Sequence, residues 1–119
     1  MSYTANFKRE FSFQERVEES SRVLSKYPDR RPVICEKLNN QKDLPDIDKK
    51  KYLVPDELTI GQFIYVVRKR MTLRPDEALF LFINNKIIST TSTIGHVYFC
   101  EKDPDGFLYV QYSKENVFG

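Results

Sequence analysis

Two stretches of this 119-residue chain hold residues whose types and spacing could do chemistry. The first is Lys49-Lys50-Lys51-Tyr52-Leu53-Val54-Pro55, a short lysine-rich run stopped by proline. Lysines and a closing proline are how natural sheets mark an edge strand, and an edge strand can accept an extended peptide through its unpaired backbone groups. Period-two alternation sends Lys51 and Leu53 to one face, Tyr52 and Val54 to the other. The second stretch is the end, Val117-Phe118-Gly119. Glycine has no side chain, so a tail ending in it can thread narrow clefts and offer its carboxylate for acyl transfer. Together these describe a protein that binds peptides and is acted on by enzymes.

Catalytic readings find little to stand on. His96 is the only histidine, and a Cys–His pair would need Cys35 or Cys100 to fall beside it by luck. The two cysteines give neither a disulfide framework nor a metal spacing, and Cys35 within Val33-Ile34-Cys35 reads as a small buried hydrophobe. The four glycines, at 61, 95, 106 and 119, build no phosphate loop. The chain therefore reads as a non-enzyme that calls for no cofactor and no metal. Its net charge of +2 is too small to imply nucleic acid. Lys49–Lys51, Arg68–Arg70 and the acidic group Glu15, Glu18 and Glu19 read as solvated faces. One competing module is an RNA-stacking strand, suggested by Gly106-Phe107-Leu108-Tyr109-Val110-Gln111-Tyr112. Asp105 stands there in place of a basic residue and Leu108 in place of Gly or Ala, so an ordinary buried strand is the better reading.

The elements that must position these residues follow from local signals. With 40% hydrophobic and 13% aromatic residues, the chain has enough apolar area for one core. Its longest apolar run, Ala78 to Ile83, is far short of the roughly 20 residues that span a bilayer, and the N-terminus carries no secretory pattern. A reducing, cytosolic setting fits the cysteine usage. Ser12-Phe13-Gln14-Glu15 is a capping box opening a helix, with Phe13, Val17, Leu24 and Tyr27 at helical spacing and Pro28 closing it. A turn of helix around Ala5 to Glu10 precedes it. Pro32 to Lys37 predicts a strand, Lys50 to Val54 a second, and Thr59-Ile60-Gly61-Gln62 a second capping box. The helix it opens runs to about Met71, with Ile60, Phe63, Ile64, Val67 and Met71 facing the core. Val66 lies off that stripe, beside Phe63 and Arg70, and borders a groove next to the edge strand. Ala78 to Ile83 predicts a fully apolar, central strand. A short extended piece with Ile87 and Ile88, a helix from about Thr93 to Glu101 and a last strand from Gly106 to Ser113 complete the order. That order suits a mixed sheet with helices on it.

With those residues in view, the chain resembles the autophagy ubiquitin-like modifiers of the GABARAP and light-chain-three group. The match is carried by Lys26-Tyr27-Pro28-Asp29-Arg30, Pro32-Val33-Ile34, Asp48 through Pro55, and Leu58-Thr59-Ile60-Gly61-Gln62-Phe63. It continues through Arg68-Lys69-Arg70, Ala78-Leu79-Phe80, Asn84-Asn85 and Gly106-Phe107-Leu108-Tyr109. The resemblance implies an α+β fold, a ubiquitin-like β-grasp with two additional N-terminal helices. Its implied parts are a helical arm at 1–27 packed on the domain, a β-grasp core at 28–114 and a flexible conjugation tail at 115–119. It implies that Gly119 is activated as a thioester by ubiquitin-activating-like and conjugating-like enzymes and passed to phosphatidylethanolamine. It also implies a cysteine protease that processes or delipidates the protein, and residence in the cytoplasm or on autophagosome and vacuole or lysosome membranes. Most relatives carry residues after this glycine, whereas the present sequence stops at Gly119.

The resemblance further implies two hydrophobic pockets for receptor and adaptor peptides with an aromatic residue, two spacers and an aliphatic one. The first would comprise Glu19, Val23, Pro32, Ile34, Lys51, Leu53 and Phe107. The second would comprise Tyr52, Val54, Pro55, Leu58, Phe63, Val66 and Arg70, with Arg30 and Lys49 meeting flanking acidic residues. Val23 is shorter than the isoleucine usual in the group.

Overall fold

The structure is a computed structural model, which describes residues 5–38, 47 and 49–114. Along the chain run α1 (Asn6–Glu10), α2 (Phe13–Lys26), β1 (Arg30–Lys37), β2 (Lys51–Pro55) and α3 (Ile60–Lys69). Then come β3 (Phe80–Ile83), β4 (Lys86–Ile87), α4 (Ile94–Glu101) and β5 (Leu108–Ser113). Both capping boxes form with both arms: Ser12 with Glu15 opens α2, and Thr59 with Gln62 opens α3. Each satisfies two backbone donors that the first helical turn leaves orphaned. Thr93 caps α4 by accepting from the His96 N–H at 3.2 Å.

The strands form one mixed sheet in the order β2-β1-β5-β3-β4, with β1 and β5 parallel and the remaining pairs antiparallel. The expectation that Ala78–Ile83 lies at the centre is corrected here: β5 is central, and β3 sits between it and the two-residue β4. An apolar run reports that both faces of a strand are covered, not its place in the order. The extended piece at Ile87 is β4, turned back on β3 by Asn84 and Asn85 at φ 51° and 65°. Positive φ at both central residues is the signature of a tight hairpin turn, and asparagine tolerates it.

One face of the sheet carries the main core. Val33 and Cys35 of β1, Tyr52 and Val54 of β2, and Leu108, Val110 and Tyr112 of β5 meet Ile60, Phe63 and Val67 of α3 and Val97 and Tyr98 of α4. Ile64 and Met71 pack against this cluster only in part. The opposite face holds a smaller cluster of Phe7, Ile34 and Phe107.

Of the apolar residues at helical spacing along α2, Val17 and Leu24 are half-buried. Phe13 and Tyr27 are exposed, and the residues the helix buries are Arg16 and Ser20. Their burial has a specific cause. Arg16 Nη1 donates to Asp105 Oδ2 at 2.9 Å, and Ser20 Oγ donates to the Asp105 carbonyl at 2.6 Å. Beside them Gly106 takes φ +92°, and a Cβ there would stand 2.3 Å from Ser20 Oγ. Only glycine lets the β5 approach pass this close to α2.

Candidate functional site

The hydrogen-bond parity of β2 decides which backbone groups it offers outward. Cys35 N–H donates to the Lys50 carbonyl at 2.8 Å, which makes those two residues a bonded pair. In an antiparallel ladder bonded pairs recur every second residue. The register, Val33 opposite Tyr52 and Arg31 opposite Val54, therefore turns the Tyr52 and Val54 backbone groups inward. Those of Lys51 and Leu53 turn outward. Pro32, opposite Leu53, has no N–H to offer and is asked for none by β2. Arg30 Nη1 lies 3.4 Å from the Leu53 carbonyl oxygen, as that outward orientation allows. Among the described residues no strand pairs with the outer side of β2.

Side chains divide by the same parity. On the α2 side, Lys51 Nζ pairs with Glu19 Oε2 at 2.9 Å and stands over the Phe7 ring at 5.8 Å. Val23 and Leu53 are half-buried, whereas Pro32, Ile34 and Phe107 are buried. Ile34 and Phe107 are covered by Phe7, whose ring meets Phe107 edge-on at 5.1 Å. On the α3 side, Tyr52 meets Phe63 edge-on at 5.3 Å, with Lys49 Nζ 5.0 Å and the Arg70 guanidinium carbon 6.0 Å from the Tyr52 ring. Val54 and Phe63 are buried, Leu58 is half-buried, and Pro55, Val66 and Arg70 are exposed. Each set thus joins buried apolar side chains to partly exposed ones, one on each side of the same edge. On the α2 side Phe7 takes Ile34 and Phe107 out of reach, leaving Val23, Lys51 and Leu53 accessible. Arg30 and Lys49 are both exposed beside β2. Gly119 lies outside the described residues. Sequence reasoning missed Tyr65, 59% exposed, which with Val66, Lys69 and Arg70 lines a shallow depression on α3. Its signal was a bulky aromatic off the core stripe of that helix.

The helices flanking this edge are tied down by buried polar groups. The Asp105 carboxylate accepts from Arg16, from the Tyr109 hydroxyl and, at 2.8 Å, from the Phe107 N–H. Burial, and then the hydrogen bond donated to Asp105, push the Tyr109 hydroxyl pKa up. Burial alone would lower that of Arg16, but Tyr109 and Asp105 outweigh it and the net shift is upward. Glu36, 4% exposed, accepts from the Asn6 and Phe7 N–H groups at 3.0 and 3.2 Å. A carboxylate at the start of α1 satisfies its orphan donors. Lys8 adds an ion pair to Asp103.

Cys35 is fully buried and its thiol pKa is pushed up by desolvation. Cys100 does fall beside the histidine: its Sγ is 3.8 Å from His96 Nε2 on the exposed side of α4. Among the described residues no group of three or more His, Cys, Asp and Glu could hold a metal ion, and no helix is long and apolar enough to cross a membrane. The RNA-stacking reading fails on geometry. Phe107 lies beneath Phe7, Tyr112 is 1% exposed and Tyr109 is engaged with Asp105.

A mixed sheet with parallel β1 and β5 at its middle, α3 across one face and two helices before it defines a ubiquitin-like α+β protein. The family model "Autophagy protein Atg8 ubiquitin like" matches residues 15–119. Autophagy-related protein 8 of Mycosarcoma maydis is 54% identical over 113 residues, covering 95% of both chains. Autophagy-related protein 8d of Arabidopsis thaliana is 50% identical over 115 residues, 97% of this chain and 95% of that one. The crystal structure of Trypanosoma brucei ATG8 superposes with a TM-score of 0.89 at 39% identity, over 98% of this chain and all of the other. The chain belongs to the Atg8 family and is an autophagy ubiquitin-like protein.

Proposed function

We propose that this protein is a modifier of the GABARAP and light-chain-three type, joined through Gly119 to phosphatidylethanolamine, which recruits receptors and adaptors through β2. It performs no catalysis of its own. Activating-like and conjugating-like enzymes carry Gly119 to lipid, and a cysteine protease removes it. It works in the cytoplasm and on autophagosomal and vacuolar or lysosomal membranes.

The observation that carries the reading is the edge itself: outward backbone groups at Lys51 and Leu53, with partly exposed apolar side chains on each side of the sheet. An extended peptide added there points successive side chains to opposite faces. Residues separated by two spacers differ by an odd step, so an aromatic and an aliphatic residue at that spacing reach opposite sides. One enters the hollow lined by Glu19, Val23, Lys51 and Leu53; the other enters that of Leu58, Val66 and Arg70. Arg30 and Lys49 meet acidic residues flanking the peptide.

Two measurements test this. Titration calorimetry with such a peptide should show the combined Lys51→Ala and Leu53→Ala change costing about 2 kcal/mol, roughly 30-fold in affinity. Unchanged affinity with an intact fold refutes the groove. Incubation with the conjugating enzymes, ATP and phosphatidylethanolamine liposomes should give a lipid adduct that deletion of Gly119 abolishes. Peptide binding without any adduct, with enzymes active on another family member, identifies an unconjugated adaptor instead.

A further inference from the structure

Helix α4 carries two metal-ligating side chains that the β2 edge does not use. His96 and Cys100 stand one helical turn apart, both exposed, with Cys100 Sγ 3.8 Å from His96 Nε2. A zinc ion at about 2.3 Å from sulfur and about 2.0 Å from nitrogen holds tetrahedral S and N ligands roughly 3.6 Å apart. The pair therefore spans close to one edge of that tetrahedron already. The scaffold beneath it is firm: Ile94, Val97 and Tyr98 are buried, and the Tyr98 hydroxyl donates to the Gly106 carbonyl at 2.6 Å.

Two ligands leave two positions open, and the adjoining carboxylates are committed elsewhere. Glu101 accepts from Asn84 at 2.8 Å and pairs with Lys86 at 2.8 Å, while Asp103 pairs with Lys8. Among the described residues no third His, Cys, Asp or Glu joins the pair, so a second copy is the source of protein ligands considered for those positions. A two-fold contact supplies the same pair again, because an isologous interface presents each residue twice. Phe99 at i+3 from His96 shares that helix face and is 79% exposed, which gives the contact an apolar body.

We propose that α4 forms a zinc-clamped contact between two copies of this chain, His96 and Cys100 of each completing one N2S2 tetrahedron. Each thiol releases its proton to solvent as its sulfur coordinates, and the two thiolates balance the charge of the ion. The chain, kept reduced with a phosphine, is titrated with Co2+ and then Zn2+ while visible absorption and sedimentation are followed. The expected result is a tetrahedral thiolate–cobalt spectrum saturating at one ion per two chains, a doubled mass, and loss of the colour as zinc displaces cobalt. His96→Ala and Cys100→Ser should each remove both spectrum and dimer while circular dichroism stays unchanged. Absence of tetrahedral colour overturns the proposal, as does one ion per monomer. A dimer that survives His96→Ala, or that a chelator leaves intact, overturns it too.

Discussion

Removing the guanidinium of Arg16 tests whether α2 is held to the domain by charge. Arg16 is 10% exposed at its side chain and its partner Asp105 not at all. Breaking a buried ion pair by removing one partner costs roughly 3–5 kcal/mol, because the other charge stays desolvated and uncompensated. Here Asp105 keeps two acceptor bonds, from the Tyr109 hydroxyl and the Phe107 N–H. That places Arg16→Met at the lower end, about 3 kcal/mol, which is a large share of the roughly 5–15 kcal/mol that holds a domain together. Asp105→Asn should cost at least as much, since Arg16 and Tyr109 then face a neutral amide. The two together should cost less than their sum by about 1.5–3 kcal/mol, because the pair is lost only once. The chain has no tryptophan, so urea unfolding followed by far-UV circular dichroism is the assay. A coupling below about 0.5 kcal/mol, the level of independent sites, would refute the reasoning. Peptide affinity should fall with Arg16→Met, because Glu19 and Val23 ride on α2.

Two further expectations are simpler. Native protein treated with a thiol reagent should modify Cys100 and spare Cys35, which is buried with its thiol pKa raised; rapid labelling of both by mass spectrometry would contradict this. Glu15 should titrate below its ordinary 4.5, held down by the Ser12 N–H and then by the Ser12 side chain. A lowered folded-state pKa means this carboxylate stabilises the fold above pH 4.5 and ceases to do so as pH falls through the lower value. NMR titration reads the midpoint directly; Ser12→Ala should move it up toward 4.5, and a midpoint unmoved by that change would be inconsistent with the capping box.

What could be read in the sequence was what local physics decides. Ser12 with Glu15 and Thr59 with Gln62 announce their helices because a cap and its partner lie three residues apart. The Lys51-to-Val54 alternation fixes which side chains share a face without knowledge of the neighbouring strand. The buried side of α2 was illegible for the opposite reason. Arg16 and Ser20 are inside only because Asp105 arrives beside them from the far end of the chain. The place of β3 in the sheet was hidden likewise, since Leu81, Phe82 and Ile83 are buried whether or not their strand is central. The His96–Cys100 contact was within reach: a spacing of four inside a helix stacks two side chains.

The parallel seam between β1 and β5 has a consequence for how the molecule is made. Val33 through Lys37 lie alongside Leu108 through Tyr112, the first of the described strands against the last. During synthesis the N-terminal hairpin emerges long before its inner neighbour exists, and such distant pairing is slow to close. A nascent chain halted before Leu108 would hold two separate ribbons, β2-β1 and β3-β4, neither able to stand alone in water. Completion of the sheet therefore waits for β5, which must enter between β1 and β3 before either ribbon gains its second neighbour.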